Sequence, residues 1–317
     1  MGKVAFVFPG QGSQKVGMGK EAFDASEQAR AVFEAADRAL EGPLSKLCFE
    51  GPDEDLKLTK NTQPAILTSS IAILSALGWP HGGVTPDVVA GHSLGEYSAH
   101  VCAGTLRFED AVRTVRLRGE LMQAAVPVGQ GAMSAILKLD RAPLEQICRE
   151  IEAETGLCVE PVNYNSPGQI VIAGDAKAVE LAGEKMKAAG GRAMPLPVSA
   201  PFHCRLMKPA EEGLAPALAK IAFSDPKLPV YVNVDAAPVT SGELARDALV
   251  RQVSRSVRWE DAIVRMKNEG VTLFVEIGTG NALTGMLKRT VEGVKCLSVQ
   301  KPDDFAAAKA AIAEARA

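Results

Sequence analysis

The chain has 317 residues, a formal net charge of −3, 47% hydrophobic residues and only 5% aromatic ones. That length holds two domains or one large α/β body with an insert, and the aromatic-poor composition suits helices layered on a buried sheet. With no basic excess there is no stripe to neutralise phosphates, which argues against a nucleic-acid binder.

In chain order, strand-like apolar runs alternate with helical patterns, the mark of a mostly parallel sheet covered on both faces. Strands are expected at residues 3–8, 87–91, 229–234, 273–277 and 294–299, with helices at 26–40, 108–125, 204–221 and 282–291. The opening MGKVAFVFPG is too short and too soon broken by Pro-Gly for a signal peptide. The uncharged stretch 61–86 carries Thr and Ser and reads as a buried core helix, so no membrane span is expected.

The middle differs. Strand 132–139, helix 143–154, strands 159–164 and 169–173, helix 176–189 and strand 192–196 follow the βαββαβ order of a ferredoxin-like unit. The expected organisation is a large hydrolase-like α/β subdomain, 1–127 and 198–317, with a small ferredoxin-like subdomain, 128–197, inserted in it. Six cysteines without CxxC or zinc-like spacing read as reduced thiols of a cytoplasmic protein, and no metal or redox cofactor is expected.

VVAGHSLGEYSA, residues 88–99, carries G-x-S-x-G where a strand passes into a helix. Such a turn exposes the serine oxygen at the carboxyl edge of the sheet and aims the helix N–H groups at a developing oxyanion. Ser93 is therefore the expected nucleophile. Of the four histidines, His92 adjoins it and shapes the turn. His100 lies about 10 Å further along the helix, and His81 precedes the strand. His203, in PVSAPFHC, remains as the general base. Asp110, Asp140 and Asp175 each sit near a helix start, where a cap or dipole partner is a sufficient role. A Ser–His dyad with a neutral acceptor on the imidazole fits better than a triad.

Arg118 falls on the apolar stripe Ala111, Val115, Met122, Ala125 of its helix. A buried ion pair or a snorkelling side chain accounts for it. So does a clamp for a substrate carboxylate, with the substrate then an acyl group carrying its own acid, such as malonyl. FPGQGSQ after the first strand fits neither a dinucleotide fingerprint nor a Walker A loop. It can offer the Gln11 amide to the oxyanion beside the amide of Leu94.

FPGQGSQ, GHSLGEYSA, RLRGELMQ, NSPGQIVIAG, PVSAPFHCRLM and LVRQV, in this order over nearly the whole chain, resemble the malonyl-CoA:acyl-carrier-protein transacylases of bacterial fatty-acid synthesis. The resemblance implies Ser93 as nucleophile, His203 as base, Arg118 as ligand of the malonyl carboxylate, and the Gln11 and Leu94 amides as oxyanion hole. It adds Gln252, whose main-chain carbonyl would orient the histidine. It implies malonyl-CoA and acyl carrier protein as partners, and Leu94 and Phe202 look like malonyl-selecting forms. Thr279 and Asn281 stand where proline and lysine are frequent, which puts a carrier contact at that turn in doubt. Arg251, Arg255, Arg258, Lys288 and Arg289 are candidate docking charges or ordinary solvated surface. A discrete acyltransferase serving a polyketide synthase, a serine hydrolase or thioesterase, and a non-catalytic carrier-binding protein are the rival readings.

Overall fold

The structure is a computed structural model that describes residues 2–80, 82, 84–198 and 200–317; His81 lies outside the described residues. Ten strands form two sheets: β1 Lys3–Phe8, β2 Val88–Gly91, β3 Gly131–Leu137, β4 Val159–Ser166, β5 Gln169–Asp175, β6 Arg192–Pro195, β7 Val230–Val232, β8 Ala237–Val239, β9 Val271–Ile277 and β10 Lys295–Val299. The larger sheet runs β10-β9-β1-β2-β7-β8, parallel except for the last pair. The smaller is antiparallel, β4-β5-β3-β6, the order a βαββαβ unit produces.

β1 shows why the large sheet is stable. Val4, Phe6 and Phe8 enter one apolar cluster, while Ala5 and Val7 enter another on the opposite face. A strand buried on both faces reads as a continuous apolar run rather than an alternation. The helix Thr59–Leu77 packs in the first cluster, with Thr62, Thr68, Ser69 and Ser70 buried among the aliphatics. No helix among the described residues is long and apolar enough to cross a membrane.

In the small sheet, Ile136, Ile170 and Ile172 pack beneath the helices Arg141–Thr155 and Ala176–Ala188. Met133, Val162 and Val171 turn the other way, into the main core.

Two expectations need correction. The strand expected at 229–234 is only Val230–Val232, and the short β8 that folds back on it had no apolar run to announce it. Asp140 and Asp175 hold N-cap positions, yet neither side chain makes the cap hydrogen bond. Asp175 Oδ2 instead accepts from the Cys158 amide at 2.6 Å, tying β4 to β5.

The chain runs from β1 to β2, β7 and β8 on one side, then returns to place β9 and β10 on the other. A reversal of strand order leaves a crevice at the carboxyl ends, where ligands of open α/β sheets bind. Phe8 pairs with Gly91, and the His92 amide donates to the Phe8 carbonyl at 3.0 Å. The loops after β1 and β2 therefore leave the sheet side by side, which brings residues 9–14 next to Ser93.

Candidate active site

The turn after β2 is built around its glycines. A Cβ on Gly91 would stand 2.0 Å from the Gly95 carbonyl carbon, and one on Gly95 would stand 2.1 Å from the Phe8 carbonyl oxygen. Only glycine permits so sharp an entry into the helix Gly95–Cys102. Ser93 itself has φ +51°, a sparsely populated conformation for a residue with a side chain.

Ser93 Oγ lies 2.7 Å from His203 Nε2, and His203 Nδ1 lies 2.9 Å from the Gln252 carbonyl oxygen. A carbonyl only accepts, so Nδ1 carries the proton and Nε2 offers its lone pair to the serine hydroxyl. Burial, reinforced by the positive charge of Arg118, lowers the His203 pKa to about 3. The imidazole is thus neutral at working pH and able to accept a proton. His92 also lines the cavity, but its Nε2 is 2.8 Å from Asn165 Oδ1 and its ring meets Trp259 edge-on at 5.7 Å. His100 is wholly buried further along the same helix.

Arg118 is 1% exposed, so it does not snorkel. It has no carboxylate within 4.0 Å among the described residues. Its Nη1 donates to Gln63 Oε1 at 2.8 Å, and its Nη2 to Gln252 Oε1 at 2.9 Å and Ser93 Oγ at 3.2 Å. Its guanidinium carbon lies 5.7 Å from the Tyr97 ring centroid. A buried guanidinium held by neutral oxygens retains its full charge for an incoming anion.

The Ser93 amide is already engaged, donating to Asn233 Oδ1 at 2.7 Å. The Leu94 and Gln11 amides donate to no protein acceptor among the described residues. These two are free for an oxyanion. Gln11, Gln63, Ser93, Arg118, Asn163, Phe202 and His203 share a cavity of about 100 Å³. A larger depression of about 580 Å³, lined by Glu160, Arg205, Lys208 and Arg255, holds no serine–histidine pair, so chemistry rather than size selects the site.

Gln63, Asn233 and the Gln252 side chain were missed from sequence. Asn233 sits inside the apolar run PVYVNV, and Gln63 in NTQPAIL; an uncompensated amide inside an apolar run was the available signal. The Gln252 side chain links the arginine to the nucleophile's backbone, because its Nε2 donates to the Ser93 carbonyl at 3.1 Å.

Of the candidate docking charges, Arg251 is committed to Asp235 and Asp247, and Arg258 to Asp261. Arg289 donates to Gln169 Oε1 at 2.7 Å.

The acyl transferase domain family model matches residues 5–309. The malonyl CoA-acyl carrier protein transacylase of Bacillus subtilis (strain 168) is 49% identical over 304 residues, 96% of this chain and 95% of that protein. The protein of the same name from Escherichia coli (strain K12) is 50% identical over 97% of this chain and 99% of its own. Among solved structures, an acyl carrier protein S-malonyltransferase from Vibrio cholerae O1 superposes with a TM-score of 0.93 at 46% identity, covering 96% of this chain and 99% of that one. A malonyl-transacylase in complex with a type II polyketide acyl carrier protein gives 0.93 at 46% identity, covering 96% and 98%.

Proposed function

We propose, for a chain that belongs to the acyl transferase family, the reaction of its malonyl CoA-acyl carrier protein transacylase relatives. The protein is an acyltransferase that moves malonyl from malonyl-CoA to the phosphopantetheine thiol of acyl carrier protein, loading fatty-acid synthesis. The observation that carries the reading is the Ser93–His203 contact of 2.7 Å beside a buried arginine with no carboxylate within 4.0 Å among the described residues.

His203 Nε2 takes the proton of Ser93 as Oγ attacks the thioester carbonyl. The resulting oxyanion rests on the Gln11 and Leu94 amides. Collapse breaks the C–S bond, and the imidazolium returns its proton to the departing CoA thiolate. The carrier thiol then gives its proton to His203, attacks the serine ester and leaves with malonyl, restoring the Ser93 hydroxyl. Arg118 holds the malonyl carboxylate bidentately and thereby fixes the carbonyl against Oγ. The Gln252 carbonyl keeps the imidazole in the tautomer the first step needs. No step calls for a metal or redox group.

We assign residues 128–197 to a small unit inserted into the large one and place the protein in the cytoplasm, consistent with six free thiols.

Initial velocities with malonyl-CoA and phosphopantetheinylated carrier protein test the scheme. Parallel double-reciprocal lines are expected of an enzyme that releases CoA before the carrier binds. Converging lines would contradict the serine ester as an obligatory intermediate.

The depressed His203 pKa has a sign that can be checked. Since the free enzyme binds no proton at His203 until about pH 3, kcat/KM for malonyl-CoA should stay flat as pH falls from about 8 to about 5. A break near 6.5, the ordinary histidine value, would show the imidazole to be solvated. For stability, the unfolded chain takes up the proton first. The neutral imidazole's contribution is therefore intact above about pH 6.5 and declines as pH falls below it.

A further inference from the structure

Asn233 follows β7, is 1% exposed, and has no part in the steps above. Its polar groups go to the turn that carries Ser93. Oδ1 accepts from the Ser93 amide, Nδ2 donates to the Gly91 carbonyl, and the backbone N–H donates to Glu96 Oε2, each at 2.7 Å. Its own carbonyl accepts from the Arg258 amide at 3.0 Å, which anchors it from behind. Ser93, at φ +51°, lies between a strand ladder and a helix, so its amide has no partner of either kind. Such a conformation persists only where the surroundings over-determine it.

We propose that Asn233 is a positioning residue for the nucleophile. Its side-chain amide clamps the turn from Gly91 to Ser93, holding Oγ against His203 and leaving the Leu94 amide for the oxyanion. The clamp must accept from one backbone group and donate to another two residues away, which a single side-chain amide does. The proposal rests on the acyl-transfer reading and deepens it.

An aspartate has nearly the same shape but, ionised, offers two acceptors and no donor. It would face the Gly91 carbonyl with a lone pair. Protonated, it is again one acceptor and one donor. The charged and titratable groups around position 233 are Glu96 and His100 on the helix Gly95–Cys102, Arg118 on the next helix, His92 and His203 across the site, and Asp235 and Arg258 in the flanking loops. Burial disfavours a charged carboxylate at 233, and Glu96, bonded to the Asn233 backbone, adds repulsion while it is ionised. Glu96 itself is raised to about 7 by burial, so in Asn233→Asp the two carboxyls titrate as a pair and the ratio to wild type reports that pair.

The test is the single-turnover rate of Ser93 acylation by malonyl-CoA. Wild type and Ser93→Ala serve as references that decide separately whether acyl transfer through Ser93 occurs. Asn233→Ala is expected to be slower by about 10²-fold with KM changed less than about threefold, because misplacing a reacting atom by 1 Å costs about that much. Asn233→Asp is expected to match Asn233→Ala at about pH 8 and to regain about tenfold relative to wild type by about pH 5. An Asn233→Ala rate within about threefold of wild type overturns the proposal. So does an Asn233→Asp to wild-type ratio that does not move with pH, the result a general loosening of the fold would give.

Discussion

His203→Ala is expected to slow the acylation of Ser93 by malonyl-CoA by about 10²–10⁴-fold, with KM changed by no more than about threefold. The reason is geometric. Ser93 Oγ has His203 Nε2 as its proton acceptor at 2.7 Å, and among the described residues the only other polar side-chain contact on Oγ is Arg118, which donates. His92 cannot take over, since its Nε2 is bound to Asn165 on the small sheet. Alanine also leaves the Gln252 carbonyl without its imidazole donor, but the backbone there belongs to a helix end fixed by its own hydrogen bonds. Folding should therefore survive. Quenched-flow acylation at saturating malonyl-CoA reads the loss; a loss under about tenfold would mean that another group removes the proton.

Arg118→Gln is expected to give the second large effect, a fall in kcat/KM for malonyl-CoA of about 10²–10³-fold, since breaking a buried charge pair with substrate costs about 2–5 kcal/mol. In the free protein the arginine has no carboxylate within 4.0 Å among the described residues, and burial lowers its pKa from the ordinary guanidinium value. Among the described residues that charge is held by two amide oxygens, the serine oxygen and the Tyr97 face, with Glu96 acting on it without an ion-pair contact. Substitution by a neutral amide thus removes a buried charge that has no ion-pair partner within 4.0 Å among the described residues, and the melting temperature should hold while malonyl acylation collapses. A thermal melt with free malonate separates the readings. The dianion should raise Tm of the wild type by mass action and leave Arg118→Gln unmoved. A Tm shift of equal size in both would place the carboxylate elsewhere.

Much of this fold could be read from the chain because its strands are buried on both faces. KVAFVF and VTLFVEI are largely apolar runs bounded by glycine or proline, and they could be little else. Arg118 stood out by the same logic in reverse, as a charge in an apolar row, and it is indeed buried. What stayed hidden are groups whose contribution does not depend on residue type. The Gln252 carbonyl is a backbone atom, so no composition or spacing marks it, and it came only from the resemblance; the Gln11 and Leu94 amides could be named because the strand–turn pattern around them locates the oxyanion. Asn233 and Gln63 were hidden differently. Their partners are distant in sequence, 140 residues for Asn233 and Ser93 and 55 for Arg118 and Gln63. Only the folded sheet, with β2 beside β7, makes the first pair neighbours. β8 was missed because three residues paired by a tight return carry no periodicity.

The most direct measurement is the intact-protein mass after brief mixing with malonyl-CoA, and again after adding phosphopantetheinylated acyl carrier protein. A single malonyl adduct, absent in Ser93→Ala and discharged onto the carrier, is the predicted result. An adduct that survives in Ser93→Ala, or one lost as free malonate at the same rate with or without carrier, would contradict acyl transfer through this serine.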